Sequence, residues 1–180
     1  MSFTTTPIQD LIVFEPAVFR DERGYFYESY NQKVWEDAGI STVFVQDNQA
    51  RSTRGVLRGL HYQLGEMAQA KLVRVTEGEV LDVVVDLREA SVTFGQWYSI
   101  RLSAENRRQL FVPRNFAHGY IVLSDQAEFA YKCDNFYSKN HEGGVRFDDP
   151  ELAINWELNL EQVLVSAKDV ALPFLKDRRK

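Results

Sequence analysis

Three scarcities set the first limits on this sequence. Cysteine is nearly absent. Cys133 stands alone, so no internal disulfide can close, and a reducing compartment such as the cytoplasm is expected. Long apolar runs are missing. Nothing approaches the roughly 20 residues of a membrane helix, and no basic, then apolar, then small-residue opening marks a secretory signal. Basic residues are outnumbered: 21 Lys and Arg stand against 26 Asp and Glu, a net charge of −5. Nucleic-acid binding needs a basic face, so neither nucleic acid nor membrane is expected as a partner. Internal repeats, low-complexity segments, linkers and the Gly-rich dinucleotide fingerprint are also absent.

What is present is the balance of an ordinary globule, with 44% hydrophobic and 26% charged residues. The 180 residues make one domain, 1–180, large enough for a core without staples. It closes on a short basic tail, Lys176, Arg178, Arg179 and Lys180, read here as a solvated terminus. Arg23, Arg51, Arg54, Arg58, Lys71 and Arg74 fall in the first 74 residues and allow a local anion site despite the negative total.

Most of the chain reads in period two. Leu81, Val83, Val85 and Leu87 alternate with Asp82, Val84 and Asp86, a strand with one well-buried face. Residues 71–76 precede it, and Glu77-Gly78 between the two predicts a hairpin. Further strands are predicted at 25–30, 42–47, 56–63, 96–102, 109–112, 119–123 and 128–133. Many short strands at regular spacing point to an all-β sandwich or barrel. One helix is predicted after Asn31 as its cap, with Val34, Trp35 and Ala38 on one side and Gly39 at its end. A second short one is expected near Leu160.

The densest polar cluster is Arg58-Gly59-Leu60-His61-Tyr62-Gln63. In a regular strand Arg58 and His61 face opposite sides, so a bulge near Gly59 is needed to bring both into one pocket. Other polar runs are Asp21 to Phe26, Gln46 to Gln49, Asn115 to Gly119 and Ser166 to Asp169. Each has a plain structural reading. A strand histidine is more often a hydrogen-bonded structural residue than a catalyst. Lys71 can be a solvated strand end, Arg23 ordinary turn chemistry, and Tyr131 and Tyr137 core or rim aromatics. Metal binding in small barrels commonly uses two closely spaced histidines. Here Gln63 stands where the second would be, and His61, His118 and His141 are far apart in sequence, so no metal is assigned although convergence in space stays open. From residues alone the reading stops at a mostly β, anion-binding enzyme candidate.

The motifs taken together go further. Asp21-Glu22-Arg23-Gly24-Tyr25-Phe26-Tyr27-Glu28, Gln46-Asp47-Asn48, Gly55 to Gln63, Lys71-Leu72-Val73-Arg74-Val75, Phe94-Gly95, Leu102 to Asn106, Phe116-Ala117-His118-Gly119, Tyr131-Lys132-Cys133 and Asp148-Asp149-Pro150 occur in one order and spacing. The set resembles the dTDP-4-dehydrorhamnose 3,5-epimerase family over residues 7–173. Gln49-Ala50 stands where that family more often has His-Ser, and Gly65-Glu66-Met67 replaces a commoner proline-rich stretch. Neither touches a residue assigned to chemistry.

The resemblance implies a cupin-like jelly-roll barrel with a few short helices, a homodimer with exchanged N-terminal strands, and no cofactor. It implies a 4-keto-6-deoxy sugar of thymidine diphosphate as substrate. It implies His61 as base, Asp169 as the carboxylate orienting it, Tyr131 as acid on the other face, and Lys71 as the charge near the enolate oxygen. Arg23 and Arg58 resemble the diphosphate and sugar contacts. Gln46, Asp47 and Asn48, Glu28, His118, Glu142 and Lys168 match substrate-contacting positions, and Tyr137 an aromatic that stacks on the thymine ring. Arg23, Phe26 and Glu28 are expected to serve the neighbouring subunit's pocket. Three other readings stay open: a single-site epimerase, a metal-dependent barrel enzyme, and a non-catalytic sugar-nucleotide binding module.

Overall fold

The structure is a computed structural model in which residues 1–179 are described. Its strands run β1 (Ser2–Thr5), β2 (Ile12–Glu15), β3 (Val18–Asp21), β4 (Gly24–Tyr27), β5 (Gln46–Thr53), β6 (Val56–Gln63), β7 (Lys71–Glu77), β8 (Glu79–Asp86), β9 (Trp97–Ser103), β10 (Gln109–Val112), β11 (Phe116–Val122), β12 (Gln126–Cys133), β13 (Glu142–Gly144) and β14 (Leu164–Val165). Two short helices join them, α1 (Gln32–Asp37) and α2 (Ala167–Val170). One sheet has the order β1-β2-β10-β7-β12-β5 and the other β13-β6-β11-β8-β9, with β14 beside β6 in parallel. Strands β3 and β4 form a separate hairpin. Two sheets with strands crossing between them make the expected cupin-like jelly roll.

Period-two patterning places a core on each side of the second sheet. Val80 and Val84 of β8 point between the sheets with Val73, Leu110, Phe116 and Phe129. Leu81, Val83 and Val85 point the other way, where Val145, Phe147, Leu152, Ile154, Trp156 and Leu175 of the C-terminal segment cover them. Strand β8 is therefore buried on both faces rather than one. A third cluster, Phe14, Trp35, Ala70, Leu72 and Phe111, lies under α1 on the outer side of the first sheet.

Two expectations need correction. Glu77-Gly78 is not a hairpin turn, because β7 and β8 belong to different sheets. Gly78 (φ 74°) is the corner where the chain changes sheet, and a Cβ there would lie 2.0 Å from the Gln126 carbonyl oxygen. The tail is not simply solvated: the Arg178 side chain is 7% exposed and ion-paired with Glu89, and Arg179 donates to backbone carbonyls. Lys180 lies outside the described residues. Helix α1 follows its expected cap, with Asn31 accepting from the Lys33 amide and Gly39 (φ 85°) after the last turn. Near Leu160 the chain makes a single 3-10 turn over Leu160–Gln162.

Candidate active site

Strand β6 supplies the centre of the site. Between the pairs His61 with His118 and Arg58 with Tyr120, β6 advances three residues while β11 advances two. That extra residue is the bulge the sequence called for, and it turns Arg58 and His61 toward one cavity. Glycine makes it possible. Gly59 (φ 136°) and Gly119 approach so closely that an added Cβ at either would meet backbone at 2.6 Å.

Two cavities, of about 500 and about 570 Å³, share His61, Lys71, Tyr131 and Lys168 as common wall and form one cleft between the sheets. His61 comes from the second sheet, and Lys71 and Tyr131 from the first. A flat ligand between the sheets thus meets the imidazole on one face and the phenol and ammonium on the other.

His61 Nε2 lies 2.6 Å from Asp169 Oδ1. The imidazole is 39% exposed to the cleft while the carboxylate is 5% exposed behind it. Helix α2 fixes Asp169, with Ser166 Oγ accepting the Asp169 amide and Asp169 Oδ2 accepting from the Gly59 amide. Burial alone would raise the Asp169 carboxyl; bonds from His61, Gly59 and Ser166 outweigh it and lower it. The dyad therefore presents a free imidazole edge to the cleft with its other nitrogen held.

Burial lowers the Lys71 ammonium, and Cys133 and Asp82 nearby pull it back up in part. Lys71 Nζ stands 5.9 Å from the Tyr131 ring centroid. Burial raises the Tyr131 hydroxyl, helped by Cys133 and Tyr120, which keeps it a proton donor at neutral pH. His118 Nε2 contacts Asp82 Oδ2 at 2.9 Å, both side chains buried. Asp82 was not singled out in the sequence; a charge amid the apolar run of β8 was the available signal.

At the mouth, Lys168 Nζ donates to both Glu142 oxygens at 2.8 Å, and the Tyr137 hydroxyl donates to Glu142 Oε1 at 2.9 Å. The hydrogen bond from Lys168 lowers the Glu142 carboxyl, and Glu142 in turn raises Lys168. Gln46 and Asn48 line the same cavity, with Gln46 Nε2 donating to Asn48 Oδ1 at 3.0 Å. Arg58 Nε donates to Ser52 Oγ beside the second cavity, which Arg58 lines. Tyr62, Gln63, Gln69, Cys133, Gly143 and Leu172 also line it, none of them assigned from sequence.

Four expected contacts lie elsewhere in this chain. Asp47 alternates to the outer face of β5 and pairs with Lys132 at 2.9 Å. Arg23 and Phe26 sit on the β3–β4 hairpin, Arg23 83% exposed beside Asp21 and Phe26 70% exposed. Glu28 accepts from Asn31 at the foot of α1. No group of three or more His, Cys, Asp and Glu placed to hold a metal occurs among the described residues. His61 and His118 sit opposite each other, each turned to its own carboxylate.

Barrel, dyad and facing Lys–Tyr wall define a cupin-like enzyme arranged for proton transfer. The chain belongs to the dTDP-4-dehydrorhamnose 3,5-epimerase family, whose profile matches residues 5–177. It is 56% identical over 171 residues to the dTDP-4-dehydrorhamnose 3,5-epimerase of Shigella flexneri, covering 94% of this chain and 93% of that one. The crystal structure of dTDP-4-dehydrorhamnose 3,5-epimerase from Elizabethkingia anophelis matches with a TM-score of 0.94 at 54% identity, over 98% of this chain and 97% of that one. The Legionella pneumophila dTDP-6-deoxy-D-glucose-3,5-epimerase, solved with dTDP-4-keto-L-rhamnose, matches with a TM-score of 0.94 at 50% identity, over 98% and 93%.

Proposed function

We propose that this chain converts dTDP-4-dehydro-6-deoxy-D-glucose to dTDP-4-dehydro-L-rhamnose, inverting carbons 3 and 5 in rhamnose biosynthesis. The observation that carries the reading is the His61–Asp169 dyad on one sheet facing Tyr131 and Lys71 on the other.

The substrate ketone lies at carbon 4, so the hydrogens at carbons 3 and 5 are both alpha to it. His61 removes one as a proton, and the C–H electron pair moves into the C–C bond and on to the ketone oxygen as an enolate. Asp169 stabilises the imidazolium and holds the ring. Lys71 supplies positive charge at the enolate oxygen. Tyr131 returns a proton from the opposite face, which inverts the centre. One proton leaves and one arrives, nothing is oxidised overall, and no redox cofactor is needed.

Arg58 takes the diphosphate end, with guanidinium geometry suited to phosphate oxygens. His118 lies beside it in the same half of the cleft. Gln46, Asn48, Glu142 and Lys168 contact the nucleotide sugar at the mouth, where Tyr137 stacks on the base. The functional unit is a cytoplasmic homodimer of single-domain chains, 1–180 including the basic tail, that exchanges N-terminal strands. Its hairpin then carries Arg23, Phe26 and Glu28 into the neighbour's pocket. Exposed Phe19, Tyr25 and Phe26 on that hairpin favour this arrangement. No helix among the described residues is long and apolar enough to cross a membrane.

The test is proton NMR of dTDP-4-keto-6-deoxyglucose with the protein in deuterated water. Loss of the signals at both carbon 3 and carbon 5, without added metal, is the expected result. Loss at one carbon makes it a single-site epimerase, and no exchange overturns the reading.

A further inference from the structure

Arg178 and Arg179 looked like two equivalent tail charges, but their partners divide them. Arg178 stacks over Phe94 at 5.0 Å and reaches Glu89 at 3.3 Å. Arg179 has other partners. Its Nη1 donates to the Glu142 carbonyl at 3.1 Å and its Nη2 to the Asn140 carbonyl at 3.3 Å. The Arg179 carbonyl accepts from the Tyr62 hydroxyl at 2.8 Å.

Two of those partners, Tyr62 and Glu142, line the cleft. Tyr62 follows His61 in β6 and lines the cleft, with its ring packed on Gly143, where an added Cβ would lie 2.3 Å from it. Glu142 holds Lys168 and Tyr137 through its carboxylate. The segment bearing Glu142 is laddered to β6 on one side, and Arg179 adds side-chain bonds to two of its carbonyls. Strand β13 is three residues long, and residues 139–141 before it form a single 3-10 turn. The tail itself is firmly seated just upstream, since the Leu175 amide donates to Asp149 Oδ2 at 2.6 Å and Leu175 is buried.

We propose that Arg179 is a positioning residue that fastens the cleft mouth from behind, setting the Glu142–Lys168–Tyr137 cluster at the spacing a nucleoside diphosphate needs. The inference rests on the substrate reading above and adds to it a residue outside the cleft. Arg179 touches neither the reacting carbons nor His61, so its effect falls on substrate binding and not on the proton steps.

The experiment compares Arg179→Ala and Arg179→Lys with the full-length protein. Both retain the main-chain carbonyl that Tyr62 uses. In Arg179→Ala the KM for the sugar nucleotide and the Kd for dTDP alone, measured by calorimetry, are expected to rise about fivefold, with kcat unchanged. Arg179→Lys, able to reach one carbonyl at a time, is expected to recover part of that loss. Unchanged KM and Kd in Arg179→Ala overturn the proposal, and so does a lowered Tm with dTDP affinity intact, the signature of a purely structural tie. If the unaltered protein exchanges no protons yet binds dTDP, the substrate reading fails and the Kd comparison still decides the role of Arg179.

Discussion

Strand β8 carries two buried carboxylates on one face, and their surroundings differ sharply. Asp86, at the strand's end, is saturated. It accepts from the Arg88 guanidinium and amide, from Ser91 and from Thr93, and Arg88 reaches on to Asp10. Asp82, fully buried behind the cleft-lining His118, has that histidine on one oxygen while its other oxygen has no hydrogen-bond partner among the described residues. Burial pushes up the Asp86 carboxyl, but its donors win and bring it down to about 2. A buried acceptor left unpaired costs free energy that a fold alone has no reason to retain. The corner at Asp86 is finished as a structure, whereas Asp82 has a single partner, His118, which lines the cleft.

The sharpest way to separate the regions is His61→Asn. The amide can still donate to Asp169, so folding is expected to survive while exchange at both carbons falls about a thousandfold in the NMR assay. Retained exchange in the folded variant removes His61 as the base. Tyr131→Phe is expected next in size. Inversion, followed with a coupled reductase, falls about 10- to 100-fold while deuterium uptake at the substrate falls less. Equal loss of both argues against Tyr131 as the acid.

The corner gives the opposite pattern. Asp86→Asn is expected to destabilise the protein by about 2 kcal/mol at neutral pH, read from urea melts, with nucleotide affinity unchanged. The sign follows from the depressed carboxyl. Its stabilisation is complete above the unfolded value near 3.9 and is lost as pH falls toward about 2, so the gap between the two proteins narrows over that window. The smallest effect is Ser91→Ala, about 1 kcal/mol, because Asp86 keeps its Arg88 and Thr93 donors. A loss of activity in either variant would break the division between corner and cleft.

Legibility in the sequence follows the same division. Apolar alternation located β6 and β10 to the residue and most of β7 to β12, because a buried face leaves a period-two trace. Strand β5 was predicted at 42–47 and runs from Gln46 to Thr53. Its inner face lines a polar cleft, so Gln46 and Asn48 stand where apolar residues would have marked it. Strands β1 and β3 are largely exposed and β2 buries two adjacent residues, so none of the three leaves a period-two trace. The turn residue Gly78 was visible, but whether a tight turn returns to its own sheet or crosses to the next is a tertiary matter. The cleft residues His61, Lys71, Tyr131 and Asp169 were legible through the family motifs. Asp82 and Arg179 meet partners 36 and 37 residues away, and the sequence does not display which residues they pair with.

The dyad also sets a clock on biosynthesis. His61 and Asp169 are 108 residues apart. At translation rates of about 5 to 20 residues per second, His61 emerges roughly 5 to 20 s before the carboxylate that holds it. During that interval the barrel strands can pair while the Gly59 amide and the imidazole lack their shared acceptor. A nascent chain stalled anywhere short of residue 169 thus carries His61 without the carboxylate that holds it.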